Sequence, residues 1–344
     1  MQVAGQQDCR SRLHYYYEES MVLSMTGVKH RKTEKVKDIK AKITWKDIKK
    51  QKELIILSIP FVAYILLFCY VPLIGWVMAF QNYKPAKGFF DSKFVGLKKF
   101  EFLFIDNPDF LRVIRNTLAM GVINLVLSFA FAIAFALILN EVVHKGPKKL
   151  VQTVSYLPHF LSMIIVCGIL KDALSIDNGI VNEILVKLHI LKAPINFFTY
   201  KSLFWWIVGF ANVWKETGWN SIIYLAAITA INPDLYEAAS IDGAGRLKKM
   251  WNITLPGIKP TIFILLLINV GNVLNAGFEI QYLLTNGLIQ SVSQTIDIYV
   301  LKYGISQTDY SLGTAAGIFK SVVSIILIYL ANSAAKSAGE ERLF

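Results

Sequence analysis

The chain has 344 residues, of which 54% are hydrophobic and 17% charged, and its mean hydropathy is +0.46. A soluble domain is nearer a quarter charged; here charges crowd into short windows between apolar runs long enough to cross a bilayer, which excludes an ordinary soluble globule. The formal net charge of +12 lies mostly at the N-terminus and in short loops, where membrane-flanking segments account for it and no nucleic acid is called for.

Residues 1–53 read as a basic cytoplasmic tail, whose Lys29, Arg31, Lys32, Lys35, Lys37, Lys40 and Lys42 favour anionic membrane lipid. No apolar stretch precedes residue 53, so the tail is not a cleavable signal peptide. Met21 and Met25 stand inside it as alternative starts to Met1. An all-α membrane domain is expected over 54–332, with six spans near 54–80, 116–140, 151–170, 203–231, 261–284 and 311–332. Pro60 and Pro72 fall in the first span and Pro158 near the start of the third. The fourth is interrupted by Trp214-Lys215-Glu216-Thr217-Gly218-Trp219, and 285–310 is a polar loop. The tail, the turn at 144–149 and the cluster at 246–249 are strongly basic and alternate with mixed loops. That pattern places both termini, including the short tail 333–344, and the loop 232–260 in the cytoplasm.

Cys9, Cys69 and Cys167 lack metal-ligand spacing, and His144, His159 and His189 are isolated in the pattern, so no metal is assigned. No nucleophile–base constellation marks an enzyme. The Gly-x-x-x-x-Gly-Lys-Ser/Thr phosphate loop is missing, so this chain is not an ATP motor and no cofactor is assigned to it.

The loop 232–260 holds the densest local signals. Asn232 caps a helix, Pro233 suits its first position, and Asp234 and Glu237 favour the positive end of its dipole. Ala238, Ala239 and Ala244 keep one surface smooth, Gly243 and Gly245 break the helix or allow a turn, and Leu255-Pro256 ends the basic stretch that follows. Capping chemistry alone describes a surface helix between two spans. The full pattern is Glu-Ala-Ala, then Gly after three intervening residues, then Ile-x-Leu-Pro. It resembles the EAA loop of bacterial ABC importer permeases. Asn116-Thr117, Tyr156-Leu157-Pro158, WKETGWNSIIYLAAI and YSLGTAAG extend the likeness over roughly 54–335. It looks closest to the carbohydrate-uptake branch for oligosaccharides and polysaccharide fragments, which includes alginate-type permeases.

The resemblance implies a pore subunit paired with a second permease subunit in the bacterial cell (inner) membrane. Glu237, Ala238, Ala239 and Gly243 would belong to a coupling helix docked on a cytoplasmic ATPase dimer, which carries ATP and Mg. An extracellular or periplasmic solute-binding protein would deliver the carbohydrate, and import would proceed by alternating access. A non-sugar ABC permease and a stand-alone secondary transporter are the competing readings; the latter calls for inverted repeats with paired broken spans.

Sugar sites combine aromatic faces with hydrogen-bonding groups. Trp214, Glu216, Trp219, Asn220 and Tyr224 in the fourth span supply both, with Lys215 beside them, and an ionisable residue inside a span is a candidate for function. The alternative is that Lys215 and Glu216 pair while the tryptophans pack. In the fifth span Asn272, Asn275 and Glu279 fall on one helical face by spacing, as substrate path or as interhelical glue. Gly313, Gly317 and Ser321 form a small-residue stripe suited to helix packing, with Lys320 beside it.

Overall fold

A computed structural model describes residues 51–337. Residues 1–50, with the basic cluster and the alternative starts, and residues 338–344 of the expected C-terminal tail lie outside the described residues. The fold divides into two units after Ile65. In the first, α1 (Lys52–Ile65) is apolar apart from its opening residues and holds Pro60. The second opens with a π-helical turn at Leu66–Tyr70 and a 3-10 segment at Val71–Phe80, whose Pro72 lies in its first turn.

A pair of two-residue strands, β1 (Gln81–Asn82) antiparallel to β2 (Lys93–Phe94), and the single turn α2 (Lys98–Glu101) lead to the first long core helix. That helix, α3 (Pro108–Asn140), begins well before the expected 116. The Asn107 side chain accepts from Asp109 N at 3.1 Å and Pro108 occupies the first turn, so the cap sets the start and the apolar run does not.

The expected third span at 151–170 is broken. α4 (Lys145–Tyr156) runs through a 3-10 turn at Leu157–Phe160 and meets α5 (Met163–Ala173) at 103°. Pro158 removes a backbone donor, and Ser162 restarts the chain by accepting from Ile165 N. α6 (Ile180–Lys187) follows in the connecting segment.

The expected fourth span is corrected in the opposite direction. α7 (Lys201–Thr229) is one uninterrupted helix through Trp214–Trp219. Charged side chains do not break a helix when their heads find partners. Gly218 leaves room for the Ser155 backbone of α4, which an added Cβ would strike.

The loop 232–260 contains α8 (Pro233–Ile241) and α9 (Arg246–Gly257), and α9 bends by 56° into α10 (Lys259–Gly271). The expected fifth span at 261–284 ends at Gly271. The chain turns through 272–277, where Gly277 adopts φ +85°, before α11 (Phe278–Leu284). The apolar residues that carry the pattern across this break belong to two helices. The expected polar loop 285–310 holds α12 (Gln290–Ser293) and α13 (Ile296–Tyr299), which runs on as a π-helical segment to Ser306. α14 (Tyr310–Ser337) closes the described chain.

Three of these stretches, Lys52–Phe80, Pro108–Asn140 and Tyr310–Ser337, are long and apolar enough to cross a membrane, or up to five if each bent pair counts as one span. The core of the second unit is built on α3 and α7. Their partners rise together in number: Met120 clusters with Phe204 and Val208, Asn124 bonds Asn212, and Ala136 clusters with Ile228. The two helices therefore run in the same direction. Beside them, Phe110 and Phe104 pack edge-on against Phe319 of α14, and Phe110 packs against Tyr299 of α13. Two ion pairs tie α14 and its approach to neighbouring segments: Lys320 Nζ to Asp297 at 2.6 Å and Lys99 Nζ to Asp309 at 2.8 Å. Lys320 is thus paired and does not snorkel.

Candidate functional site: an asparagine-lined cleft and its supports

Between α3, α7 and α10 lies a cleft of about 280 Å³. Asn124 and Ser128 come from α3, Asn220 and Tyr224 from α7, and Asn269, Asn272 and Asn275 from α10 and the turn after it. Amides suit such a wall because each both donates and accepts and stays neutral at every accessible pH. Their own bonds set their poses. Asn124 Oδ1 accepts from Asn212 Nδ2 at 3.1 Å, Asn269 Nδ2 donates to the Leu265 carbonyl at 2.8 Å, and Asn275 Nδ2 donates to Asn272 Oδ1 at 3.1 Å. The break after Gly271 is what turns Asn272 and Asn275 into the cleft.

Of the residues singled out from sequence, the cleft gathers Asn220, Tyr224, Asn272 and Asn275. The expected single face of Asn272, Asn275 and Glu279 does not exist: Glu279 sits in the first turn of α11, beyond the break, and is exposed. Trp214 lines apolar hollows on other sides of α7, with Ile169 and Phe210 and with Phe131 and Leu157. Asn124 and Ser128 join the cleft without a sequence expectation behind them; an isolated amide in an Ala- and Leu-rich span is the available signal.

Glu216 and Trp219 belong to a second cluster, at the α4–α5 bend. His159, read from sequence as isolated, contacts Glu216 Oε2 through Nδ1 at 2.7 Å and stacks on Trp219 with ring centroids 4.3 Å apart. Lys215, 8% exposed, donates to the His159 carbonyl at 2.7 Å and to Glu216 Oε1 at 3.0 Å. Phe160 packs edge-on against both His159 and Trp219. The bend frees backbone carbonyls, and Lys215 takes one of them. The cluster thus pins the broken segment to α7.

In the third region, Asn232 Oδ1 accepts from Asp234 N at 3.0 Å, starting α8. α8 ends in a nested pair of backbone bonds: Gly243 N donates to the Ser240 carbonyl and Ala244 N to the Ala239 carbonyl, with Gly243 at φ +74°. Gly245 has φ −69° and opens α9, so the left-handed turn belongs to Gly243 alone. Glu237 and Ala238 are exposed and Ala239 half-buried, and Leu235 and Ile241 also face outward. The Tyr236 hydroxyl bonds Thr254 Oγ1 at 2.9 Å and Lys249 Nζ donates to Ser240 Oγ at 2.6 Å, which locks α8 to α9.

In the small-residue stripe, Gly313 lies backbone to backbone against Gly304, Ser321 Oγ donates to the Gly317 carbonyl, and a Cβ on Gly317 would meet nothing within 4 Å. Among the described residues no group of three His, Cys, Asp or Glu converges as a metal site.

Residues 128–337 match the family model described as "Binding-protein-dependent transport system inner membrane component". The chain belongs to this family. The permease is 45% identical over 294 residues to the polygalacturonan/rhamnogalacturonan transport system permease protein YteP of Bacillus subtilis (strain 168), covering 86% of this chain and 91% of the relative. Its fold matches a crystal structure of a bacterial ABC transporter involved in the import of the acidic polysaccharide alginate, with TM-score 0.78 and 39% identity over 85% of this chain and 98% of the other. A second structure is the alginate ABC transporter in complex with alginate pentasaccharide-bound periplasmic protein; it aligns with TM-score 0.79 and 38% identity, covering 87% and 99%. The permease is therefore a membrane subunit of an ABC importer, and ATP hydrolysis lies in a separate subunit.

Proposed function

We propose that this permease is one of two pore subunits that import an oligosaccharide, with carboxylated polysaccharide fragments as the cargo class. The observation that carries the reading is the asparagine cleft. A neutral wall of donors and acceptors beside the ring of Tyr224 suits a chain of sugar hydroxyls. The names of the relatives support the same class, since polygalacturonan and alginate are acidic polysaccharides. Six membrane crossings, with the bent α4–α5 and α9–α10 pairs and α7 among them, place both termini and α8 in the cytoplasm. Glu237, Ala238, Ala239 and Gly243 then dock on the ATPase dimer, where ATP and Mg are held. Asn220, Tyr224, Asn272 and Asn275 contact cargo, while Glu216 and Trp219 support the bend. A binding protein delivers cargo at the opposite face.

The test is ATP hydrolysis by the assembled complex, with its binding protein, against a panel of acidic and neutral oligosaccharides, amino acids and ions. Stimulation by an oligosaccharide, weakened by Asn220→Leu or Asn272→Leu while basal hydrolysis holds, is the expected result. Stimulation by non-sugar solutes alone would overturn the carbohydrate reading.

A further inference from the structure

A second hollow, of about 250 Å³, opens near the starts of α3 and α7, away from the asparagine cleft. Arg112, Lys201 and Lys302 line it, with Asp109 as the acid and Gln290 and Gln294 as amides. Three cations face one carboxylate. Asp109 is engaged by Arg112 at 3.0 Å, and both side chains are about half exposed. Lys201 and Lys302 form no ion pair among the described residues. The hollow therefore has unspent positive charge.

Its wall is held in place from behind. Asn116 Nδ2 donates to the carbonyls of Ser291 and Gln294, each at 3.0 Å, and Trp205 Nε1 donates to the Val292 carbonyl at 2.9 Å. Ile296 N donates to Thr117 Oγ1 at 3.0 Å. These bonds, from part-buried to buried, fix the segment carrying Gln290 and Gln294 against both long helices, so the polar wall is preformed.

Position gives the hollow a role. Lys201 is the first residue of α7 and Thr229 the last, and a straight helix of that length spans about 43 Å. Thr229 leads directly into α8, so the hollow and α8 lie at opposite ends of α7. Asn220 and Tyr224 of the cleft fall between them.

We infer that Arg112, Lys201 and Lys302 form an anion-binding vestibule that takes the carboxylates of an acidic saccharide before it reaches the asparagine cleft. This rests on the carbohydrate reading. Lys201 is exposed and Lys302 partly buried, and solvent-accessible cations at an entrance attract and orient an anion without trapping it. The neutral cleft deeper in reads hydroxyls. The two charges of the task are thus separated in space: carboxylates at the mouth, sugar rings below. A concave hollow with amides beside its cations fits a carboxylated, hydroxylated ligand better than the flat acidic face of a protein partner.

The experiment uses the whole complex in lipid nanodiscs with saturating binding protein, and reads ATP hydrolysis stimulated by trigalacturonate and by its fully methyl-esterified form. The double variant Lys201→Gln, Lys302→Gln should raise the half-saturating concentration of trigalacturonate roughly fivefold, as expected for losing two exposed ionic contacts. The ester should be unaffected, and Lys201→Arg, Lys302→Arg should restore the acid response. Equal losses with both cargoes would assign the lysines to binding-protein docking and overturn the proposal, as would no change with either. If neither saccharide stimulates the unmodified complex while another oligosaccharide of the panel does, the carboxylated cargo class fails and the vestibule's assignment falls with it, while the carbohydrate reading stands; stimulation by non-sugar solutes alone overturns both.

Discussion

Glu216 shows how far a single side chain's meaning depends on what folds beside it. From sequence, an acid in an apolar helix is either a path residue or half of an ion pair. The structure joins it to Lys215 and to His159, which is 57 positions away in the chain. No spacing rule reaches that far, so the pairing was not legible. Lys215 and Glu216 as adjacent opposite charges were. Removing the carboxylate leaves a buried ammonium with one carbonyl partner, and the Trp219–His159 stack loses its anchor. We expect Glu216→Ala to lower the stability of the assembled complex by about 1–2 kcal/mol, below the roughly 3–5 kcal/mol of a fully buried broken pair because the carboxylate is partly exposed. Asn220→Ala, on the same helix, should leave thermal stability unchanged while weakening substrate stimulation. Thermal inactivation and stimulated hydrolysis measured on both variants separate the brace from the path. A Glu216→Ala complex that melts normally but ignores substrate would return Glu216 to the path.

At the scale of elements, legibility followed capping chemistry more than hydropathy. The tripeptide Asn-Pro-Asp starts α8 at 232–234 and starts α3 at 107–109, with the same side-chain bond to the aspartate amide. In the polar loop the tripeptide marks the helix start; at 107 the apolar run that follows points to a later start than the cap sets. Breaks were harder. Hydropathy carries straight across Gly271–Gly277 and across Pro158, because burial on both sides of a bend demands the same residue types. Glycine has two uses here that composition does not separate. Gly277 supplies a left-handed turn, whereas Gly121 and Gly218 permit close backbone approach, where an added Cβ would strike the Val273 and Ser155 carbonyls. Gly121→Ala and Gly218→Ala should each destabilise the complex by about 1–3 kcal/mol, the usual range for overpacking. Gly317→Ala, with open space around it, should be close to neutral. Equal tolerance at all three positions, read by thermal inactivation in detergent, would show that the helices separate readily at these contacts.

For the whole molecule, the question is how motion at α8 reaches the cleft. The bonds from Tyr236 to Thr254 and from Lys249 to Ser240 make α8 and α9 one rigid piece. That piece ends at Ile258, which is fully buried in a cluster with Ala132, Ala136, Tyr224 and Ile228. Ala132 and Tyr224 also line the cleft. If a partner displaces α8, Ile258 and its neighbours Leu255 and Ile231 offer a packed route to the cleft wall that does not run the full length of α7. Two kinds of variant should fail differently. Gly243→Asp puts a side chain on a left-handed backbone, at a cost below the roughly 1–2 kcal/mol of most residues because Asp tolerates it, and a charge where α8 turns; Glu237→Lys reverses the charge on its exposed face. Both should abolish transport by weakening ATPase docking while membrane insertion stays intact. Ile258→Ala leaves the exposed face of α8 untouched, so docking and basal hydrolysis should persist, yet substrate stimulation should fall because the cavity left behind absorbs the displacement. Co-purification of the ATPase together with stimulated hydrolysis distinguishes the two failures. If Ile258→Ala transports normally, the force travels by another route, such as α10, and the Ile258 cluster serves only packing.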